Sequence, residues 1–341
     1  MNITDCLSAV RLREILAGMT DVRAVLLGDM CLDVYWSADM TRSTLSRETA
    51  HFPLPVVSER MSPGAGGNVV ACMAALHPAS LRPVGVLGDD WRGESLKKEF
   101  AARGVDLSSL LTVPGRVTNA YCKPMRFGYA HEETEDPRLD FENFSPLNTQ
   151  TEDALIALLR EAAAQADVIC VADQFAFGCV TPRVREAVCE WGKTKLVLAD
   201  SRSRIGEFHH VLLKPNELEC ARAIGADRDA FPDDSSLFKA MQTLIKKTNG
   251  DICVTRAGAG CVLADHGALL SVTACPPSGP VDPVGAGDCF LSALALSLGA
   301  GASKAEAAAV ANLASGVSVR KIGTTGTASP EEILALFGGL Q

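Results

Sequence analysis

From residue 151 onward the chain alternates between two hydrophobic patterns. Apolar positions recur at helical spacing over 154–164, 182–191, 217–224 and 237–247. Between these lie short continuous apolar runs at 168–171, 195–199, 211–213, 252–255 and 262–264. Such runs suit strands buried on both faces, and their alternation with helices predicts parallel pairing through right-handed crossovers. The first part begins the same way. A helical pattern over 6–18 carries Leu7, Val10, Ile15 and Leu16 and closes at Gly18, and Val22 to Leu27 reads as a buried strand. A helix of small and apolar residues follows at 69–76 and a strand at 84–88, and Asp89-Asp90 cap a helix through Arg103.

Two blocks break this rhythm. Residues 34–60 are polar and rich in turn formers, and end in Phe52-Pro53-Leu54-Pro55-Val56-Val57, which suits an edge strand. Residues 112–145 contain alternating pieces at 120–125 and 138–141. Together they predict a small β-sheet appended as a lid. No repeat, low-complexity tract or linker divides the chain, so residues 1–341 are expected to form one α/β unit, a mostly parallel sheet flanked by helices.

Bulk properties narrow the classes. The chain has 341 residues, 47% hydrophobic and 21% charged, with a net charge of −9. That balance speaks against a nucleic-acid partner, which needs a basic face. No apolar run approaches the roughly 20 residues of a membrane span, and the start Met1-Asn2-Ile3-Thr4-Asp5 has no leader pattern, so a cytoplasmic protein is expected. The twelve cysteines include no C-x-x-C pair and stand mostly singly in apolar runs, as free buried thiols of a reducing compartment do. The six histidines form no zinc-type cluster.

The candidate chemistry centres on Asp282-Pro283-Val284-Gly285-Ala286-Gly287-Asp288, a glycine turn opening into the apolar segment 289–298. Backbone N–H groups in such a turn, backed by a helix dipole, make an anion site for which phosphate is the usual occupant. A carboxylate at its mouth can take a proton from an acceptor hydroxyl while the N–H groups hold the phosphoryl group under attack. Taken alone, Asp288 is equally an ordinary helix cap.

Four further segments stand at predicted strand ends or helix starts. Asp33 follows the first strand, where an open α/β sheet has its ligand crevice. Pro63-Gly64-Ala65-Gly66-Gly67-Asn68 does not complete a dinucleotide fingerprint, but offers N–H groups and an amide to a polyol. Asn216 and Glu219 lie on one helical face and suit the water shell of Mg²⁺, or else a capping arrangement. Thr255 to Gly260 is a glycine turn suited to close approach of a nucleotide. No Walker-type glycine loop and no protein-kinase motif set is present.

In this order, over roughly residues 22–335, these segments resemble the ribokinase family of sugar kinases, the PfkB group. The resemblance implies a ribokinase-like fold, ATP with Mg²⁺ as co-substrate, and a sugar or sugar phosphate as acceptor. It implies Asp288 as the general base, with Gly285, Ala286 and Gly287 as the anion hole. Asp33, Gly64 and Asn68 would touch the sugar. Asn216 and Glu219 would serve the Mg·ATP phosphates, Glu219 through water, and Thr255, Gly258, Gly260 and Asn312 would flank the nucleotide. Some members carry a monovalent cation such as K⁺, and Asp282 would join that site. The lid of many members forms a homodimer interface, and by excluding water it suits phosphoryl transfer.

Within the family, Gly28 through Trp36, Ser46 through Val57, Arg138 through Glu142 and Lys321 through Thr325 are similar to the kinases of heptose 7-phosphate. The chain departs from the pattern at Cys289, where threonine is usual, at Ala65, and in an acidic segment over 127–137, which Arg42, Arg47 and Arg126 would offset. No fused nucleotidyltransferase segment is expected from these 341 residues. Kinases of another sugar, a sugar acid or a nucleoside remain in-family alternatives, with Tyr121, Phe127 and Tyr129 as stacking candidates for the last. A sensor that binds without turnover is the alternative from another class.

Overall fold

In the computed structural model of the chain, the described residues are all but 130–132, 228–230, 232, 266–267, 278 and 341. In chain order the strands are β1 (Arg23–Gly28), β2 (Met30–Asp39), β3 (Val56–Ala65), β4 (Ser80–Gly88), β5 (Leu110–Val113), β6 (Asn119–Phe127), β7 (Thr134–Glu135), β8 (Leu139–Phe141), β9 (Val168–Asp173), β10 (Leu196–Ser201), β11 (Leu212–Leu213), β12 (Cys253–Thr255), β13 (Cys261–Asp265) and β14 (Ala268–Val272).

The main sheet runs β11-β10-β9-β1-β4-β5, with every pair parallel. Its central strands β1 and β9 are apolar except at the terminal Arg23 and Asp173, because each face is covered. Ala24 and Leu26 of β1, with Val168, Cys170 and Ala172 of β9, feed one layer, built with helices Gly66–Ala75, Ala286–Gly299 and Lys304–Ser318. Val25, Leu27, Ile169 and Val171 feed the other, with helices Thr149–Gln165, Pro182–Gly192 and Asp234–Thr248. This is the expected α/β fold.

The lid is a second sheet, β3-β2-β6-β7, with β8 also on β6. It starts earlier than 34–60 suggested. β2 leaves β1 after a single residue, Asp29, whose buried carboxylate accepts from the N–H groups of Gln174, Phe175 and Cys179 at 2.9, 2.9 and 2.7 Å. The root of the lid is thereby fixed to the loop after β9. The expected edge strand at 52–57 begins only at Val56, since Pro53 and Pro55 cannot donate to a ladder. Residues 112–113 belong to β5 of the main sheet.

One pairing differs from the alternation rule. β12, β13 and β14 form an antiparallel meander, joined to the main sheet by parallel bridges Leu213↔Ile252 and Asn216↔Thr255. The turn 257–259 between β12 and β13 is too short for a crossover, so parallel pairing is impossible there.

Candidate active site

Strand order brings the candidate residues to the carboxyl ends of the main sheet. Ala199 of β10 pairs with Leu213 of β11, so the next residues, Asp200 and Lys214, leave adjacent strand ends together. Both are buried, and Lys214 Nζ lies 3.1 Å from Asp200 Oδ2. Facing them is the start of helix Ala286–Gly299. Gly285 stands before it with φ +80°, and a Cβ there would meet Asn68 Nδ2 at 2.8 Å and Thr325 at 3.0 Å. Only glycine fits such a position.

The helix starts earlier than 289, so Asp288 sits inside its first turn rather than at its cap. The N–H groups of Asp288 and Cys289 bond to Gly285 O, and that of Ala286 bonds to Pro283 O at 3.2 Å. The N–H of Gly287 has no partner among the described residues. A Cβ on Gly287 would meet nothing nearer than Lys214 Nζ, at 3.9 Å. An unpaired amide and a buried ammonium thus flank one small open space.

The Asp288 carboxylate borders the same space and accepts from Asn68 Nδ2 at 2.6 Å. Burial pushes its carboxyl up to about 7, with Asp200 and Asp33 adding to the rise and Asn68 and Lys214 opposing it. A carboxyl poised there is a base matched to neutral pH. Asn68, expected at the sugar, is spent on Asp288 through its amide nitrogen.

Around Lys214 the acids outnumber the cation. Burial lowers the affinity of its ammonium for the proton, but Asp200, Glu219 and Asp288 outweigh this and hold it above its ordinary value. Glu219 is raised by burial and then by Asp200. Asn216 and Glu219 make the reciprocal capping box, at 2.8 and 2.9 Å, which occupies one carboxylate oxygen of Glu219. These carboxylates are spread around the ammonium and do not converge: among the described residues no three ligating side chains are grouped to hold a metal ion.

At the expected acceptor side, Asp33 of β2 is buried and its Oδ1 has no hydrogen-bond partner among the described residues, while Oδ2 lies 3.4 Å from Lys123 Nζ. Gly64 lies opposite on β3, where a Cβ would come within 2.6 Å of that free oxygen. Its bareness therefore keeps Asp33 reachable. Ala65, next along, holds φ +47° and ψ −128°, a strained state for a residue with a Cβ. Beyond Asp33 a cleft of about 430 Å³ is lined by Tyr35, Arg60, Lys123, Glu133, Asp282 and Gly323, among others. Arg60 lies over the Tyr35 ring at 4.0 Å and donates to Gly323 O at 2.7 Å, and Lys123 donates to Tyr35 Oη at 2.9 Å.

Of the arginines expected to offset the acidic segment 127–137, Arg126 pairs with Asp136 of that segment, whereas Arg42 pairs with Asp39 outside it. Arg60, Lys123, Lys214 and Asp200 went unassigned in the sequence. The available signals were the in-phase alternation of Tyr121 and Lys123 on β6 and the Lys-Pro-Asn step beside Asn216. Tyr121, a stacking candidate, is covered by Arg138 at 3.8 Å from its ring centre.

On the nucleotide side, Thr255 ends β12 and the glycine turn follows. A Cβ on Gly258 would meet nothing within 4 Å, whereas one on Gly260, at φ +92°, would strike Val272 O. Gly258 leaves room for a ligand and Gly260 serves the turn. Asn312 is not at an open surface: it is buried and donates to Val272 O at 3.2 Å. Both oxygens of Asp282 accept from backbone, Oδ1 from Val284 N and Oδ2 from Gly323 N, tying the glycine turn to the loop that meets the lid.

No helix among the described residues is long and apolar enough to cross a membrane.

The arrangement has known counterparts. The family model described as pfkB family carbohydrate kinase matches residues 32–332. The bifunctional protein HldE of Geotalea uraniireducens is 32% identical over 324 residues, covering 93% of this chain and 63% of that protein. That of Geobacter metallireducens is 30% identical over 332 residues, with 95% and 65% covered. The chain therefore spans less than two thirds of the length of these curated relatives. Among solved structures, Arabidopsis thaliana ribokinase complexed with ribose and ATP superposes with a TM-score of 0.71 at 19% identity, covering 93% of this chain and 98% of that one. Escherichia coli phosphofructokinase-2 in complex with substrates and products gives 0.70 at 19% identity, with 94% and 99% covered. The chain belongs to the pfkB family of carbohydrate kinases.

Proposed function

We propose that this sugar kinase transfers the γ-phosphoryl group of Mg·ATP to a hydroxyl of a sugar phosphate of the heptose 7-phosphate type. The observation that carries the phosphotransfer reading is the open space bounded by Asp288, the free N–H of Gly287 and the ammonium of Lys214. In this reading Asp33 Oδ1 accepts from one sugar hydroxyl and so orients the ring. Asp288 removes the proton from the reacting hydroxyl. Gly287 N–H and Lys214 hold the charge of the phosphoryl group in flight, which is positioning and electrostatics rather than covalent work. Glu219, with Asn216, would hold Mg²⁺ through water; when bound, the ion neutralises charge on the nucleotide phosphates. Thr255 and Gly258 would border the nucleotide, with Asn312 bracing the wall behind it, and Asp282 would join a monovalent-cation site through its remaining lone pairs.

Support for a phosphorylated acceptor comes from Arg60, whose hydrogen bond goes to the neutral carbonyl of Gly323, and from Lys123 in the same cleft, held between Asp33 Oδ2 and Tyr35 Oη. It comes also from the likeness to the HldE proteins. Exposed Phe52, Val56 and Val57 at the lid support a homodimer formed through it.

The test is ADP release from Mg·ATP across sugars, sugar phosphates, sugar acids and nucleosides. Heptose 7-phosphate is expected to stimulate turnover, and Arg60→Ala to raise its KM far more than that of an unphosphorylated sugar. Stimulation by unphosphorylated sugars alone would remove the phosphate reading. Tight ATP binding with no turnover on any acceptor would favour the sensor.

A further inference from the structure

Two thiols stand face to face directly behind the base. Cys72, on helix Gly66–Ala75, and Cys289, on helix Ala286–Gly299, have their sulfurs 3.1 Å apart, and Cys289 Sγ also donates to Gly326 O at 3.2 Å. Both residues are buried. Cys289 follows Asp288 in the chain, and Cys72 lies one helical turn beyond Asn68, whose amide holds Asp288. The same two helices are pinned again by Ser292 Oγ donating to Val69 O at 3.2 Å. Nothing in the phosphotransfer reading uses either sulfur.

We propose that Cys72 and Cys289 form an oxidative modification site, closed to a disulfide by a hydroperoxide and reopened by a dithiol, that switches the base off. One thiol attacks the peroxide, breaking the O–O bond and releasing water, and becomes a sulfenic acid. The second sulfur then displaces the hydroxyl as a second water. Two S–H bonds and one O–O bond are lost, one S–S bond and two waters form, and the peroxide is the oxidant. Both sulfurs are buried while the neighbouring Asp288 is part-exposed, so hydrogen peroxide, close to water in size, would reach them by local opening beside Asp288.

The first step is slow, because the hydrogen bond to Cys289 and then burial hold the Cys72 thiol well above its ordinary value, and the thiolate is the nucleophile. The second step is fast, because the partner sulfur is already in contact. A thiol with a partner sulfur in contact closes to a reversible product where an isolated thiol would continue to sulfinic acid. Cys253 and Cys261 also share a hydrogen bond, but the Cys72–Cys289 pair is the one with a member next to Asp288 in the chain.

Closure has a mechanical consequence. A disulfide requires an S–S distance of about 2.05 Å, so the sulfurs must approach by about 1 Å. The motion falls on the two helix turns that carry Asn68 and Asp288. A displacement of that size at a reacting group costs about a hundredfold in rate. The activity arm of this proposal rests on the kinase reading; the linkage itself does not.

The full-length chain is titrated with hydrogen peroxide, then split for kinetics, intact mass and peptide mapping without reduction. The expected result is a kcat about a hundredfold lower, with loss of two hydrogens per chain, a Cys72–Cys289 linked peptide, and recovery with dithiothreitol. Cys289→Thr and Cys72→Ala should each resist the same dose. Inactivation of both variants alongside the wild type, a dose that inactivates without the linked peptide, or a fully linked enzyme with normal kcat would overturn the proposal. If untreated protein turns over no acceptor, the kinase reading fails while the linked peptide still reports on the pair.

Discussion

With Asp288 as the proposed base, its hydrogen bond with Asn68 would set the pH at which it becomes competent, and removal of that bond has a calculable effect. Asn68 Nδ2 donates to Asp288 Oδ2 at 2.6 Å, the strongest opposition to the burial that lifts this carboxyl to about 7. A hydrogen bond to a charged group contributes about 1.5–3 kcal/mol, and about 1.36 kcal/mol corresponds to one pKa unit. Asn68→Ala should therefore move the carboxyl up by about one to two units. At pH 7 half of the wild-type base is ionised, against about 9% to 1% in the variant, so kcat/KM should fall by about five- to fiftyfold. The deficit should close as pH rises towards 9.5. The assay is the pH profile of kcat/KM for both proteins, since that ratio reports the free enzyme. An unmoved acid limb would show that Asn68 does not tune Asp288. A deficit that persists unchanged at pH 9.5 would show that the amide acts by position alone.

Asp288→Asn should lower kcat by about 10²- to 10⁴-fold with nucleotide binding retained. It should also raise Tm at pH 8: a carboxyl lifted from 3.8 to about 7 stabilises the fold at low pH, and that contribution is lost as pH rises through 7. An unchanged kcat would remove Asp288 from the base role. Gly287→Val should fold normally, because its Cβ has room, yet lose turnover by filling the phosphoryl space; an active variant refutes the anion hole. Lys214→Met should lower kcat much more than it raises the KM for ATP, with the pH limb displaced upward, and a pure KM effect would confine Lys214 to ground-state binding. Ala65→Gly should stabilise by about 1–3 kcal/mol, read by denaturant unfolding, because glycine adopts φ +47° without strain; no gain would mean the turn is relaxed as it stands.

The sequence made the scaffold readable because both faces of the main sheet are covered. β1 from Ala24 and β9 up to Ala172 had to be continuously apolar, and that continuity separates them from amphipathic helices. The lid was less legible. β2 keeps its alternation, with Leu32, Val34 and Trp36 turned to the core and Asp33 and Tyr35 on the opposite face, but it follows β1 after one residue, so its first residues read as the loop at the end of β1. β3 carries Ser58, Glu59 and Arg60 in succession, on an edge with little to bury.

The site divides along a similar line. The glycine turn at 285–287 is local, and a local motif can be read from consecutive letters. Lys214 and Asp200 acquire meaning only from the pairing of β10 with β11, which places two strand ends side by side. Asn68 was recognised as polar and useful, but its partner lies 220 positions away. Cys289 was visible as a departure from threonine, whereas the sulfur facing it was not, because Cys72 lies in an unremarkable run of small residues. What eluded the sequence in each instance was one member of a pair assembled across elements, where identity says what a side chain can do and only the fold says to whom.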